Sequence, residues 1–165
     1  MTPTELLKDA FSRVVESAER AVDGLTEDQL AARPGPHANS IAWLVWHIAR
    51  GQDAQIADLA GTEQVWKAQG FVDRFALPLD PDAHGYGMTS DEVAKVRADG
   101  DLLLDYLRAT HVASVAYLDT LAETDLDRVV DERWDPPVTL GVRLVSIVDD
   151  DAQHVGQAAY VRGLL

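Results

Sequence analysis

Cysteine is absent from the 165 residues. That absence excludes disulfides, cysteine-ligated zinc and a thiol nucleophile belonging to the protein. Any thiol chemistry must bring its sulfur in as a small molecule. Basic residues are scarce as well: 14 Lys and Arg face 28 Asp and Glu, for a formal net charge of −14. A field of that sign repels phosphate backbones and anionic lipid surfaces, so neither nucleic acid nor membrane is expected as a partner. No window approaches the apolar run of roughly 18 residues that a membrane span requires. The first residues, MTPTELLKDAFSRVVESAER, carry charges throughout and lack the apolar stretch of an export signal. The expected address is therefore cytoplasmic. Strand-like alternation, internal repeats and low-complexity segments are missing too.

What remains is helical pattern. Thr2, Pro3 and Glu5 make a capping box with proline at the first helical position. Leu6, Leu7, Phe11, Val14, Val15, Ala18 and Val22 then recur at helical spacing, and Gly24 closes the segment. A second box, 26-TEDQ-29, opens a short turn of helix. Asn39 or Ser40 caps the second long helix, 41-IAWLVWHIARGQDAQIADLAG-61. A connection from about Gly61 to Met88 shows no pattern, and a stretch that long is usually a functional loop or a lid. The box 89-TSDE-92 opens the third long helix, running to about Leu121, and Thr139 caps the fourth. The fold expected is all-α: one domain over 1–165, a four-helix bundle with a long loop between helices two and three.

The fourth helix carries charge where a core helix should not. In 148-VDDDAQHVGQAAY-160, a wheel at about 100° per residue puts Asp150, His154, Gln157 and Val161 in one stripe beside the apolar arc. Asp149 falls toward solvent, and Asp151 falls inside the arc, an awkward place for a lone carboxylate. Asp150 and His154 are four apart and therefore neighbours. Alone they read as a partly exposed ion pair. The second helix adds His47, inside 43-WLVWHIAR-50, where nearly every neighbour is apolar. Alone it reads as a core histidine. Bundles, however, build metal sites from ligands projecting inward on different helices. His47, Asp150 and His154 would together be two imidazoles and one carboxylate with open positions, a set that suits zinc, ferrous iron or nickel. Gln157 is placed to orient a ligand, and Trp43 and Trp46 to wall a pocket. His111 reads as a boundary residue, while His37 and His84 read as facing water. Arg50, Arg74 and Arg143 are the candidate cations for an anionic substrate.

Taken together, 38-ANSIAWLVWHIARGQD-53 and 150-DDAQHVGQAAYVRGLL-165, with 85-GYGMTSDEV-93 and 134-WDPPVTLGVRL-144, resemble the DinB-like superfamily of four-helix metalloproteins. The resemblance is to its actinobacterial branch of mycothiol S-transferases and mycothiol-dependent maleylpyruvate isomerase. By position it implies His47, Asp150 and His154 as metal ligands. The chain departs from a three-histidine pattern at Asp150, and carries Met88 where the pattern has histidine. What the resemblance implies is a divalent-metal-dependent thiol transferase or isomerase. It would activate a low-molecular-weight, mycothiol-like thiol against a small electrophile, often as a homodimer. Two other readings stay open: a bundle that holds a metal or ligand without turnover, and a metal-free helical domain.

Overall fold

Each long helix starts where a side chain can satisfy its free amide groups. The computed structural model describes residues 1–165. Helix α1 (Pro3–Val22) opens on the reciprocal box between Thr2 and Glu5. Helix α2 (Glu27–Ala31) repeats the device with Thr26 and Gln29. For α3 (Ile41–Ala60) the cap is Ser40, whose side chain accepts from the amide of Trp43, and Gly61 ends it in the left-handed conformation. Thr139 caps α8 (Leu140–Arg162), the last and longest helix.

The region between α3 and α8 departs from the expected pattern at three points. The stretch 61–88 is not structureless. It forms two short helices, α4 (Val65–Ala68) and α5 (Phe71–Phe75), which bury Trp66, Phe71 and Phe75. The third long helix does not begin at Thr89. That box opens only a single turn, α6 (Ser90–Val93), and α7 (Gly100–Leu118) starts afresh with Asp99 as its cap. A small antiparallel pair also exists, β1 (Val129–Asp131) with β2 (Val138–Thr139), too short to leave an alternating pattern.

Four long helices, α1, α3, α7 and α8, form the bundle. Gly100 at the start of α7 lies against Val22 at the end of α1, and Arg162 at the end of α8 donates to the carbonyl of Ala21. Lys8 near the start of α1 pairs with Asp119 at the end of α7. Consequently α1 and α8 run one way and α7 the other. Helix α3 runs with α7: Ile56 near its end shares an apolar cluster with Leu118 at the end of α7, while Ile41 and Leu103, near the two starts, belong to the other cluster. Two parallel neighbours need a connection that returns to the starting end, and the strap 61–99 supplies it. The core holds Trp46, Leu44, Ile48, Leu103 and Leu107, all 1% exposed or less, and a smaller cluster around Phe11, Ile56, Leu118 and Leu144 fills the other end. No helix is long and apolar enough to cross a membrane.

Candidate metal site

Helices α3 and α8 are antiparallel neighbours, and at one level their facing side chains are polar. His47 from α3 and Asp150 and His154 from α8 offer ligand atoms that all lie within 4.8 Å of one another. Asp150 Oδ1 is 3.5 Å from His154 Nε2, and its Oδ2 is 4.0 Å from His47 Nε2. The two rings meet edge to face, with centroids 4.8 Å apart and planes at 74°. Spacing of this size leaves room for one ion among the three groups.

Hydrogen bonds on the far side of each ring fix which nitrogen faces the group. His47 Nδ1 lies 2.5 Å from the carbonyl oxygen of His84. A carbonyl has no proton to give, so Nδ1 carries the hydrogen and Nε2 keeps its lone pair. For His154, Nδ1 is 3.2 Å from Gln157 Oε1, which leaves Nε2 toward Asp150 in the same way. Both imidazoles are thus oriented as metal-binding histidines are, with an oxygen behind each ring. Burial presses the pKa of His47 below its ordinary 6.5, against a partial pull upward from the His84 carbonyl. A neutral ring is the form that can ligate.

The loop that reaches His47 depends on a glycine. Gly85 has φ +104, and a Cβ there would sit 2.3 Å from His47 Nδ1. No other residue lets the backbone approach the ring so closely. On its other face the ring stacks on Trp43, one turn earlier in α3, with centroids 4.6 Å apart and planes at 18°. Trp43 also meets His154 edge-on at 6.1 Å, and its indole N–H points at Met88 Sδ, 3.4 Å away. Beside the group opens a cleft of about 290 Å³, bounded by Gly51, Ala54, Gln55, Ser146, His84 and Tyr86. The largest cavity, about 690 Å³ between α1 and α7, shares no residue with the group, so volume does not mark the site here.

Other expected positions fall differently. Trp46 does not wall the cleft. It is 1% exposed, inside the core, with its ring 6.4 Å from that of Trp66. Asp149 is solvated and bonded by Gln153, as its place on the wheel implied. Asp151 is 1% exposed, and burial, then the charge of Asp150, hold its carboxyl well above the ordinary range. His37 is exposed and His111 half-buried. The ring of His84 is exposed at the mouth of the cleft, but its backbone oxygen is the part that acts on His47. None of the three candidate arginines is a free cation. Arg74 pairs with Asp105, Arg143 donates to Asp131, and Arg50 is buried in a network with Gln64, Tyr106 and Ala83. The sequence reading does not single out Gly85, whose signal is a glycine next to a histidine in the long loop. It makes Arg50 a cation for an anionic substrate, whereas that charge, one turn from His47, is spent on bonds inside the protein.

Fold and site together define a class: helical bundles with a histidine–aspartate–histidine group shared between two facing helices. The profile of the mycothiol S-transferase family matches residues 6–165, and the chain belongs to that family. Among solved structures it is similar to a conserved protein of a locus from Enterococcus faecalis. The two share 39% identity with a TM-score of 0.94, over 99% of this chain and 97% of that one. A comparison with curated proteins gives no match.

Proposed function

We propose that the chain is a metal-dependent thiol S-transferase, with His47, Asp150 and His154 as the ligands of one divalent ion. The observation that carries this reading is the convergence of three ligand atoms within 4.8 Å, with an oxygen bonded behind each imidazole. The donor set fits: two neutral imidazoles and a carboxylate suit zinc, and equally ferrous iron or nickel. When bound, such an ion supplies the Lewis acidity that makes a coordinating thiol lose its proton near neutral pH.

The chain's own residues do the rest. It has no cysteine, so the sulfur belongs to the co-substrate. Family membership makes mycothiol, or a thiol like it, the first candidate. Three protein ligands leave coordination positions open for an exogenous group. Gly51 and Ala54 keep the α3 side of the cleft low, and an added Cβ at Gly51 would meet nothing within 4 Å. Trp43 packs against both rings, stacked on His47 and edge-on to His154, without lining the cleft itself. Tyr86, on the loop that ends at Met88, stands at the mouth where an electrophile enters.

The test is thiol-dependent turnover of a panel of electrophiles by metal-replete protein, with the His47→Ala chain beside it. Turnover that needs thiol, ion and His47 supports the transferase. Stoichiometric ion binding without turnover on any electrophile leaves a bundle that holds metal without catalysis.

A further inference from the structure

His47, Arg50 and Asp53 stand at i, i+3 and i+6 on α3, so they follow one another along one side of the helix. All three reach the strap that joins α3 to α7. Asp53 accepts from the amides of Val65 and Trp66 at 2.9 and 2.8 Å, and from the Tyr106 hydroxyl at 2.8 Å. Arg50, 1% exposed, donates from Nε to the carbonyl of Ala83 at 3.0 Å. Its Nη1 donates to Gln64 Oε1 at 2.9 Å and to the Tyr106 hydroxyl at 3.2 Å. Its guanidinium also lies over the Trp66 ring, and the indole N–H of Trp66 donates to the carbonyl of Pro81. One arginine therefore draws two separate stretches of the strap, Gln64–Trp66 and Pro81–Ala83, to a single point. The next residue, His84, carries the carbonyl that bonds His47.

We infer that Arg50 is a positioning residue for the metal site: by holding the Ala83 carbonyl it sets the next carbonyl on His47 Nδ1, and so selects the tautomer whose Nε2 is free for the ion. This rests on the metal-site reading given above. Consecutive carbonyls, Ala83 and His84, are gripped by side chains one turn apart on the same helix. A shift of the first moves the second. Arginine suits the task because its planar fork offers several donors in fixed directions, which a lysine ammonium on a flexible stem does not. Without the carbonyl behind it, the ring of His47 is free to carry its hydrogen on Nε2, where it blocks ligation.

The experiment compares the wild-type chain with Arg50→Lys and Arg50→Met, and with Ser114→Ala as a control. Ser114 accepts a buried hydrogen bond from Gln52 of α3, donates to the Thr110 carbonyl within α7, and has no side-chain hydrogen bond to the strap. Imidazole 15N shifts of the ion-stripped chain, recorded above the histidine titration range, report the tautomer of His47. Zn2+ affinity is read by chelator competition, and folding by thermal melting. The wild type should show His47 as the Nδ1–H tautomer. Both Arg50 variants should populate the Nε2–H form, with Zn2+ affinity about tenfold or more lower in Arg50→Met and intermediate in Arg50→Lys. Ser114→Ala should melt lower with the tautomer unchanged. If Arg50→Met does not fold, Arg50→Lys decides alone. Folded Arg50 variants with wild-type tautomer and affinity overturn the inference, and so does a Ser114→Ala chain in which the tautomer moves as much. A wild-type chain that binds no Zn2+ sinks the metal reading instead, while the tautomer comparison still decides the role of Arg50.

Discussion

The carbonyl of His84 lies 2.5 Å from Nδ1 of His47, and the residue that follows it, Gly85, is the reason it can. A side chain at Gly85 would collide with the ring. Alanine there would also hold φ near +104, outside the range L residues adopt easily. Gly85→Ala should therefore lose the hydrogen bond. Its affinity for zinc should fall by about tenfold or more, in keeping with the effect of losing a ligand's supporting bond. Chelator competition measures this; unchanged affinity would mean that the ring is held by Trp43 alone.

Gln157 supports His154 as the His84 carbonyl supports His47, but from an exposed position and at 3.2 Å. Water can replace it. Gln157→Ala should weaken zinc binding by less than Gly85→Ala does, by roughly a few-fold, below the usual range for such partners. An equal or larger loss would place the main support of the site on α8.

Asp53 is 3% exposed and accepts three hydrogen bonds, with Arg50 Nη1 3.8 Å away. Its removal strands two amides of the strap and leaves the buried guanidinium short of a counter-charge. Asp53→Ala should cost about 3–5 kcal/mol in urea unfolding, the usual range for breaking a buried charge pair. A loss under about 1 kcal/mol would show that solvent reaches this network.

Asp131 anchors the hairpin to α8 by accepting from both Arg133 and Arg143. Those bonds, Arg133 first, hold its carboxyl well below the ordinary 3.8. The folded state thus binds the proton more weakly than the unfolded one. The stability this carboxylate contributes is full above about pH 4 and is lost as pH falls below that value. Acid unfolding followed from pH 5 downward should be shallower in Asp131→Asn than in the wild type. Parallel curves would show that the pairs contribute nothing.

Much of this molecule could be read along the chain because its long helices announce themselves. Thr2, Thr26 and Thr139 cap where their hydroxyls precede an apolar period, and Ser40 settles the choice with Asn39. The group His47, Asp150 and His154 was legible because a helix places i and i+4 side by side, and because a histidine among tryptophans asks for a partner. The single turn Ser90–Val93 was misread as the start of a long helix. Val93 and Val96 continue the apolar period across the break, and Asp99 looked like one charge among many. The strap hid for another reason. Trp66, Phe71 and Phe75 lie on pieces of helix too short to show a period, and only contact with Tyr106 and Arg50 gives them order. The oxygen that orients His47 belongs to the backbone, and residue types do not say where a carbonyl points.

Ion stoichiometry is the most direct check on the whole account. Protein purified without chelator, or loaded with one equivalent of zinc and desalted, is analysed for metal beside His47→Ala, Asp150→Ala and His154→Ala. Convergence of the three groups predicts close to one ion per chain in the wild type and a nearly empty site in His47→Ala, with its helical content intact. A folded His47→Ala chain that keeps its full complement of metal would contradict it, because α3 would then contribute no ligand.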